Sequence, residues 1–181
     1  YNSRYGDLAP KKTLLDQIPS IKISNYAFKN MGGLHFKNVS KQWGLNTPSF
    51  SSGAVYADLD NDGDLDYVIN NINEPAFVYE NTLNNGKNIK SNFLRIRFKG
   101  DAKNRDGIGA TAELHYNHGQ WQTYYNTPSR GYLSSVDPIA HFGLNSINKI
   151  DTVLIKWPDG KMQFMRNVKA NQLLTADIAN A

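Results

Sequence analysis

The residues of this chain best suited to chemistry are concentrated in one stretch. In Asp58-Leu59-Asp60-Asn61-Asp62-Gly63-Asp64-Leu65-Asp66 a carboxylate stands at every second position. Glycine at the sixth place lets a loop fold sharply around its contents. Calcium is a hard cation that takes six to eight oxygens at about 2.3–2.6 Å, and such a loop supplies most of them. The spacing assigns side-chain oxygens of Asp58, Asp60, Asp62 and Asp66 and the backbone carbonyl of Asp64, with water completing the shell. Magnesium prefers fewer protein ligands and a strict octahedron, so it suits the set less well. Without a counter-ion, five carboxylates this close repel one another. An EF-hand is not expected, because the twelfth position from Asp58, where that loop needs a bidentate acid, is Ile69. The flanking runs 54–57 and 67–69 are β-prone, so the loop is expected to join two strands of a hairpin, with calcium as its staple.

Other chemistry finds less support. His35, His115, His118 and His141 form no zinc-protease motif. His115 and His118 flank an expected turn and read as solvent-facing, and His141 reads as a hydrogen-bonded structural residue. Ser134 or Ser135, Asp137 and His141 lie close in sequence, but no nucleophile-elbow pattern surrounds either serine. No P-loop or dinucleotide fingerprint is present. The chain has no cysteine, which excludes disulfides, zinc–thiolate sites and thiol nucleophiles. These observations point to a non-enzymatic protein.

The charge balance needs dividing before it means anything. Twenty Lys+Arg stand against 16 Asp+Glu, a net charge of +4. Five of those acids sit in the aspartate loop, so the remainder is a strongly basic body. A polyanion partner, RNA or an acidic polysaccharide, is therefore the alternative reading. Arg95, Arg97 and Lys99 would form its basic stripe, and Trp121, Tyr124 and Tyr125 its stacking surfaces. No apolar run approaches the roughly 20 residues of a membrane helix. The chain begins at Tyr1 without a methionine, so it is expected to be a processed product or a piece of something longer, its targeting sequence missing.

The elements that must position these residues are mostly strands. One short helix is expected at 10–17, opened by Pro10 and stopped by Pro19. Beyond it, short apolar runs are punctuated by Gly, Asn and Asp. The segment Asn25-Tyr26-Ala27-Phe28-Lys29-Asn30 is echoed by Ala76-Phe77-Val78-Tyr79-Glu80-Asn81, a spacing that suggests blade-like β repeats. Apolar and polar residues alternate strictly over 94–99 and 110–117, each a strand with one dry face. His118-Gly119 turns the chain into 121–125, and Pro158-Asp159-Gly160 separates 153–157 from 161–168. A last strand is expected at 173–178. The fold class is all-β: a propeller-blade-like calcium-loop unit joined to a β-sandwich, with a short N-terminal helix. Segments are expected at 1–24 (the N-terminal lead with its helix), 25–88 (the repeat unit) and 89–181 (the sandwich).

Two resemblances follow from these words. Gly53-Ala54-Val55-Tyr56-Ala57, the aspartate loop and Tyr67-Val68-Ile69 resemble an FG-GAP/VCBS-type calcium-binding repeat. Residues 26–30, 36–40 and Trp43-Gly44-Leu45 are similar to its first part. The second unit resembles the ASPIC/UnbV domain of the cartilage acidic protein family. Its matching words are Asn104-Arg105-Asp106-Gly107-Ile108-Gly109-Ala110, Gly131-Tyr132-Leu133-Ser134-Ser135, His141-Phe142-Gly143-Leu144, Val153-Leu154-Ile155-Lys156-Trp157-Pro158-Asp159-Gly160 and Asn171-Gln172. The resemblance implies a calcium-binding recognition or adhesion module, extracellular or at the cell surface, with a protein or carbohydrate partner. It departs from the family in holding one repeat and at most the start of another rather than several, and in its basic charge.

Overall fold

The computed structural model describes residues 20–85 and 90–181, and the helix expected at 10–17 lies outside them. The described protein is all-β, with a single 3-10 turn at Ile178–Asn180. It divides into two compact units, Tyr1–Ser51 with Ile72–Glu74, and Ser52–Asn71 with Pro75–Ala181. This division groups the aspartate loop with the C-terminal strands and cuts across the segment 25–88.

The first unit is built from very short strands: β1 (Ile23–Ser24), β2 (Phe28–Asn30), β3 (Phe36–Asn38) and β4 (Pro48–Ser49). β1 pairs antiparallel with β4, and β2 with β3. Asn and Gly residues end them early, because Gly32 and Gly33 turn the chain through positive φ between β2 and β3. Little is buried here. Val39, Ser40 and Ser49 are inside, while Tyr26, Phe28, Leu34, Phe36 and Trp43 stand exposed. Ser40 replaces apolar packing with hydrogen bonds, its Oγ accepting from the Ala27 N–H and donating to Asn38 Oδ1.

The second unit opens with a sheet in the order β5 (Ser51–Ala57), β6 (Asp66–Asn71) and β7 (Phe77–Tyr79). The aspartate loop connects β5 to β6, as the β-prone flanks predict. β6 and β7 are antiparallel, with Tyr67 opposite Tyr79. Seven strands follow: β8 (Asn92–Lys99), β9 (Thr111–Tyr116), β10 (Gln120–Tyr125), β11 (Ile139–Asn145), β12 (Lys149–Lys156), β13 (Met162–Lys169) and β14 (Gln172–Asp177). They form two sheets, β10-β9-β12-β13 and β11-β8-β14, which share one core. Leu94, Ile96 and Phe98 from β8 meet Ala112, Leu114, Val153 and Ile155 from β9 and β12, all nearly free of solvent contact. Each fully buried Leu or Ile side chain contributes about 1.5–3 kcal/mol over its exposed state. The core therefore enforces the alternation seen in the sequence, since a register slip of one residue would turn Arg95 or Glu113 inward.

The last strand pairs in a way no local turn could direct. β14 lies parallel to β8, Leu174 opposite Ile96, after the chain has laid down five intervening strands. The words that carry the ASPIC/UnbV resemblance meet in this unit as packing elements. Gly107 has φ +59, and a Cβ there would lie 2.8 Å from Phe98 Cβ and 2.9 Å from the Trp157 ring. Asn126, wholly buried, donates through Nδ2 to the carbonyls of Asp106 and Gly107. Asn104 clasps Ile108 from both sides, donating to its carbonyl and accepting from its N–H.

Candidate metal centre

The hairpin brings three of the five aspartates to one point. Carboxylate oxygens of Asp58, Asp60 and Asp62 all lie within 4.8 Å of one another. Two oxygens that each touch one calcium ion at about 2.4 Å can be no more than about 4.8 Å apart, so these three fit a common ion. Asp62 is buried, and the side chain of Asp58 is 1% exposed. Its Oδ2 accepts from Arg95 Nη1 at 2.7 Å, while its Oδ1 is buried without a hydrogen-bond partner among the described residues. A buried carboxylate oxygen left unpaired is costly, and a cation is the natural partner for it.

The other two aspartates are engaged differently. Asp66 accepts from the Leu59 N–H through Oδ2 and from the Asn81 N–H through Oδ1, closing the base of the loop. Asp64 accepts from the Asn84 N–H at 2.7 Å, and its Oδ1 is buried without a partner among the described residues. Burial pushes the Asp64 carboxyl above its ordinary pKa; the Asn84 N–H pulls against that, and the charges of Asp62, Asp66 and Asp60 add to the rise. Within the loop, the Asp62 N–H donates to Asp60 Oδ1 and the Asp64 N–H to Asp62 Oδ1, which curls the backbone around the carboxylates. Asn61 and Gly63 both take positive φ. Gly63 has a second reason to be glycine, since a Cβ there would lie 1.8 Å from Phe93 Cε1.

Several residues of this site escape a reading of the sequence. Arg95 appears there as one member of a basic stripe, yet it is the partner of Asp58, 37 residues away. Phe93, which seats Gly63, reads as an ordinary strand residue. Asn81 and Asn84 act through their backbone N–H groups, which carry no sequence signal at all. The Asn84 side chain, in a residue 2% exposed, is itself engaged, with Oδ1 accepting from the N–H groups of Lys90 and Ser91.

The remaining candidates are dispersed. Lys99 is paired with Asp177 at 2.7 Å and Arg95 with Asp58, so the basic stripe is largely neutralised. Trp121 and Tyr125, 65% and 58% exposed, lie on the outer face of the four-stranded sheet, whereas Arg97 and Lys99 lie on the outer face of the other. Tyr124 turns inward against Phe142. The structure therefore does not assemble the stripe and the aromatics into one surface. His115 sits 3.7 Å from Glu113 beside its turn. Ser134 Oγ accepts from the Ala54 N–H and donates to the Tyr132 carbonyl. His141 stacks on Phe93, and its Nδ1, where a hydrogen bond is expected, is buried without a partner among the described residues.

The fold and site define an all-β protein in which a β-sandwich shares its compact unit with an acid-rich hairpin loop. Residues 100–181, which include the strands from β9 onward, match the family model described as ASPIC and UnbV. The chain is similar to cartilage acidic protein 1 from Homo sapiens, 32% identical over 129 residues that cover 67% of this chain and 18% of that protein. The Xenopus tropicalis protein of the same name is 29% identical over 127 residues, covering 67% and 18%. The Mus musculus protein is 30% identical over 118 residues, covering 61% and 17%. The chain thus spans less than a fifth of the length of these relatives. Among the described residues no helix is long and apolar enough to cross a membrane.

Proposed function

We propose that this chain is a non-enzymatic, calcium-binding recognition or adhesion module of the extracellular space or cell surface, with a protein or carbohydrate partner. The observation that carries the reading is the convergence of Asp58, Asp60 and Asp62 around an orphaned, buried Asp58 oxygen. Their oxygens would hold the ion, with Asp64 and Asp66 bracing the loop from the backbone of residues 59, 81 and 84. Bound calcium supplies the positive charge that lets several carboxylates share one small volume. Fixing the loop fixes β5 and β6, and with them the surface that β5 presents. Two further observations favour an FG-GAP/VCBS-like, propeller-blade-like repeat. The aspartate loop connects paired strands, and Tyr26, Phe28, Phe36 and Trp43 are left exposed as on a blade that lies against other blades. The similarity to proteins named for cartilage accords with an extracellular setting.

The test is the melting temperature with calcium and with a chelator. Calcium should raise it. At a free concentration ten times Kd the stabilisation is about 1.4 kcal/mol, or roughly 3–6 °C for a chain of this size. Asp60→Ala with Asp62→Ala should abolish that response while the sandwich stays folded. Identical melting curves with and without chelator would overturn the calcium assignment.

A further inference from the structure

The outer face of the four-stranded sheet carries side chains that the calcium loop does not use. Strand register sets them in rows. Trp121, His115, Thr152 and Arg166 lie side by side, then Thr123, Glu113, Leu154 and Phe164, then Tyr125, Thr111, Lys156 and Met162. Trp121, Phe164, Tyr125 and Met162 are each more than half exposed. We propose that this face binds a uronic-acid polysaccharide, with sugar rings lying on Trp121 and Phe164 and carboxylates held by Lys149, Arg166 and Lys169. This deepens the recognition reading above and rests on it.

The cations of this face are of two kinds. Lys156 donates to Glu113 at 2.5 Å, and His115 lies 3.7 Å from the same carboxylate, so that group is closed. Lys149, Arg166 and Lys169 have no ion-pair partner among the described residues. Lys149 and Lys169 stand directly opposite each other on β12 and β13, and like charges so placed destabilise a sheet. Asn167, at φ +56, breaks the alternation of β13. Arg166 and Lys169, three positions apart, are therefore both exposed, while Val168 between them is buried in the core. An anion held among the three cations would relieve their repulsion, and a planar carboxylate matches the fork of an arginine.

The make-up of the face selects among polyanions. With the exposed Asp151 included, four cations (Lys149, Lys156, Arg166, Lys169) stand against two acids (Glu113, Asp151), so the surplus is small. A nucleic acid carries a phosphate on every nucleotide, and a sulfated glycan is also densely charged. Either would meet Glu113 in the middle of the face. A uronic-acid polysaccharide instead spaces its carboxylates between neutral, hydroxylated rings. Its hydroxyls can donate to Glu113 and exchange hydrogen bonds with Thr111, Thr123 and Thr152. Its C–H faces can lie on Trp121 and Phe164, and an acidic peptide has no such ring to offer. Strands about 4.8 Å apart make the face about 14 Å wide, and Trp121 stands about 13 Å from Tyr125 along β10. That area fits a short stretch of sugars lying flat. The basic stripe of β8 belongs to the other sheet and takes no part.

The experiment follows the indole N–H of Trp121 and the backbone N–H groups of Lys149, Arg166 and Lys169 by NMR. Hexasaccharides of hyaluronate, alginate and galacturonan are added without calcium, because uronates chelate it. Cellohexaose is the neutral control, and a heparin hexasaccharide, hexauridylate and hexaglutamate are the rival anions. At least one uronate hexasaccharide should shift these signals with Kd of about 0.1–1 mM, about fivefold or more below that of the control and of every rival. Raising NaCl from about 0.05 to about 0.5 M should weaken binding severalfold, since surface charges are screened. Trp121→Ala should weaken it about fivefold, the effect of losing one stacking ring. Lys149→Glu sets an opposite charge across from Lys169, so it should abolish binding and raise the melting temperature by about 1–4 °C. The proposal is overturned if no uronate hexasaccharide shifts these signals, if the control or a rival binds as tightly, or if either variant binds like the parent. A melting temperature lowered by Lys149→Glu would overturn the argument from like charges. Melting with calcium and with chelator is read on separate samples free of glycan. A retained calcium shift without glycan binding sinks the glycan face alone, and a lost calcium shift with binding intact sinks the calcium assignment alone.

Discussion

Replacing Arg95 by methionine tests whether Asp58 is shared between a guanidinium and a cation. The pair is 2.7 Å apart, with side-chain exposures of 15% for Arg95 and 1% for Asp58. Methionine keeps the aliphatic packing of the arginine stem and removes the charge. Removing one partner of a buried ion pair costs about 3–5 kcal/mol, because the other charge is left uncompensated. Arg95 retains some solvent contact, which places the cost near the lower figure. In chelator the variant should therefore lose about 3 kcal/mol, or roughly 6–12 °C of melting temperature for a chain of this length. With saturating calcium the ion balances the same carboxylate, and the loss should shrink to about 1 kcal/mol. By linkage the difference of about 2 kcal/mol must reappear as calcium binding tightened roughly 30-fold in the variant. Urea unfolding followed by the fluorescence of Trp157, buried in the sandwich, gives the stabilities. Calorimetric titration gives the calcium affinity. An equal loss in both buffers together with an unchanged calcium affinity would refute the shared role of Asp58.

Two further perturbations follow from the same contacts. Between pH 6.5 and 4 the unfolded state takes up a proton that folded His141 resists, because its folded pKa is about 4 against an ordinary 6.5. Stability should thus be fully present above pH 6.5 and fall as the pH drops, by about 2 kcal/mol from pH 7.5 to 5. Urea midpoints of the parent and of His141→Phe, compared at both pH values, check this; parallel losses would rule the histidine out as the source. Gly63→Ala places a methyl group into the Phe93 ring at positive φ, so overpacking and backbone strain should together cost about 2–4 kcal/mol. Phe93→Ala in the same chain should recover part of that loss, and a melting temperature unchanged by Gly63→Ala would contradict the seating of the loop.

The sequence by itself determined what depends on short spacing. Carboxylates at alternate positions from 58 to 66 mark one acid-rich loop because all of them come from one short stretch of chain. Strict alternation over 94–99 and 110–117 marks strands because the side-chain period of a strand is two. The turns at His118-Gly119 and Pro158-Asp159-Gly160 are equally local, and the hairpins they close stand where expected.

Only the tertiary structure decided which strands become neighbours. The parallel pairing of β14 with β8 joins Gln172 to Leu94, and nothing near either residue encodes it. The same is true of Arg95 on Asp58 and of Phe93 beneath Gly63. It also placed Arg97 and Lys99 on one outer face and Trp121 and Tyr125 on the other. A strand's period says that one face is wet, but burial of the shared core settles which wet face it joins. The reach of a ligand loop is a few residues, whereas the hydrophobic effect is non-directional and acts between residues far apart in sequence.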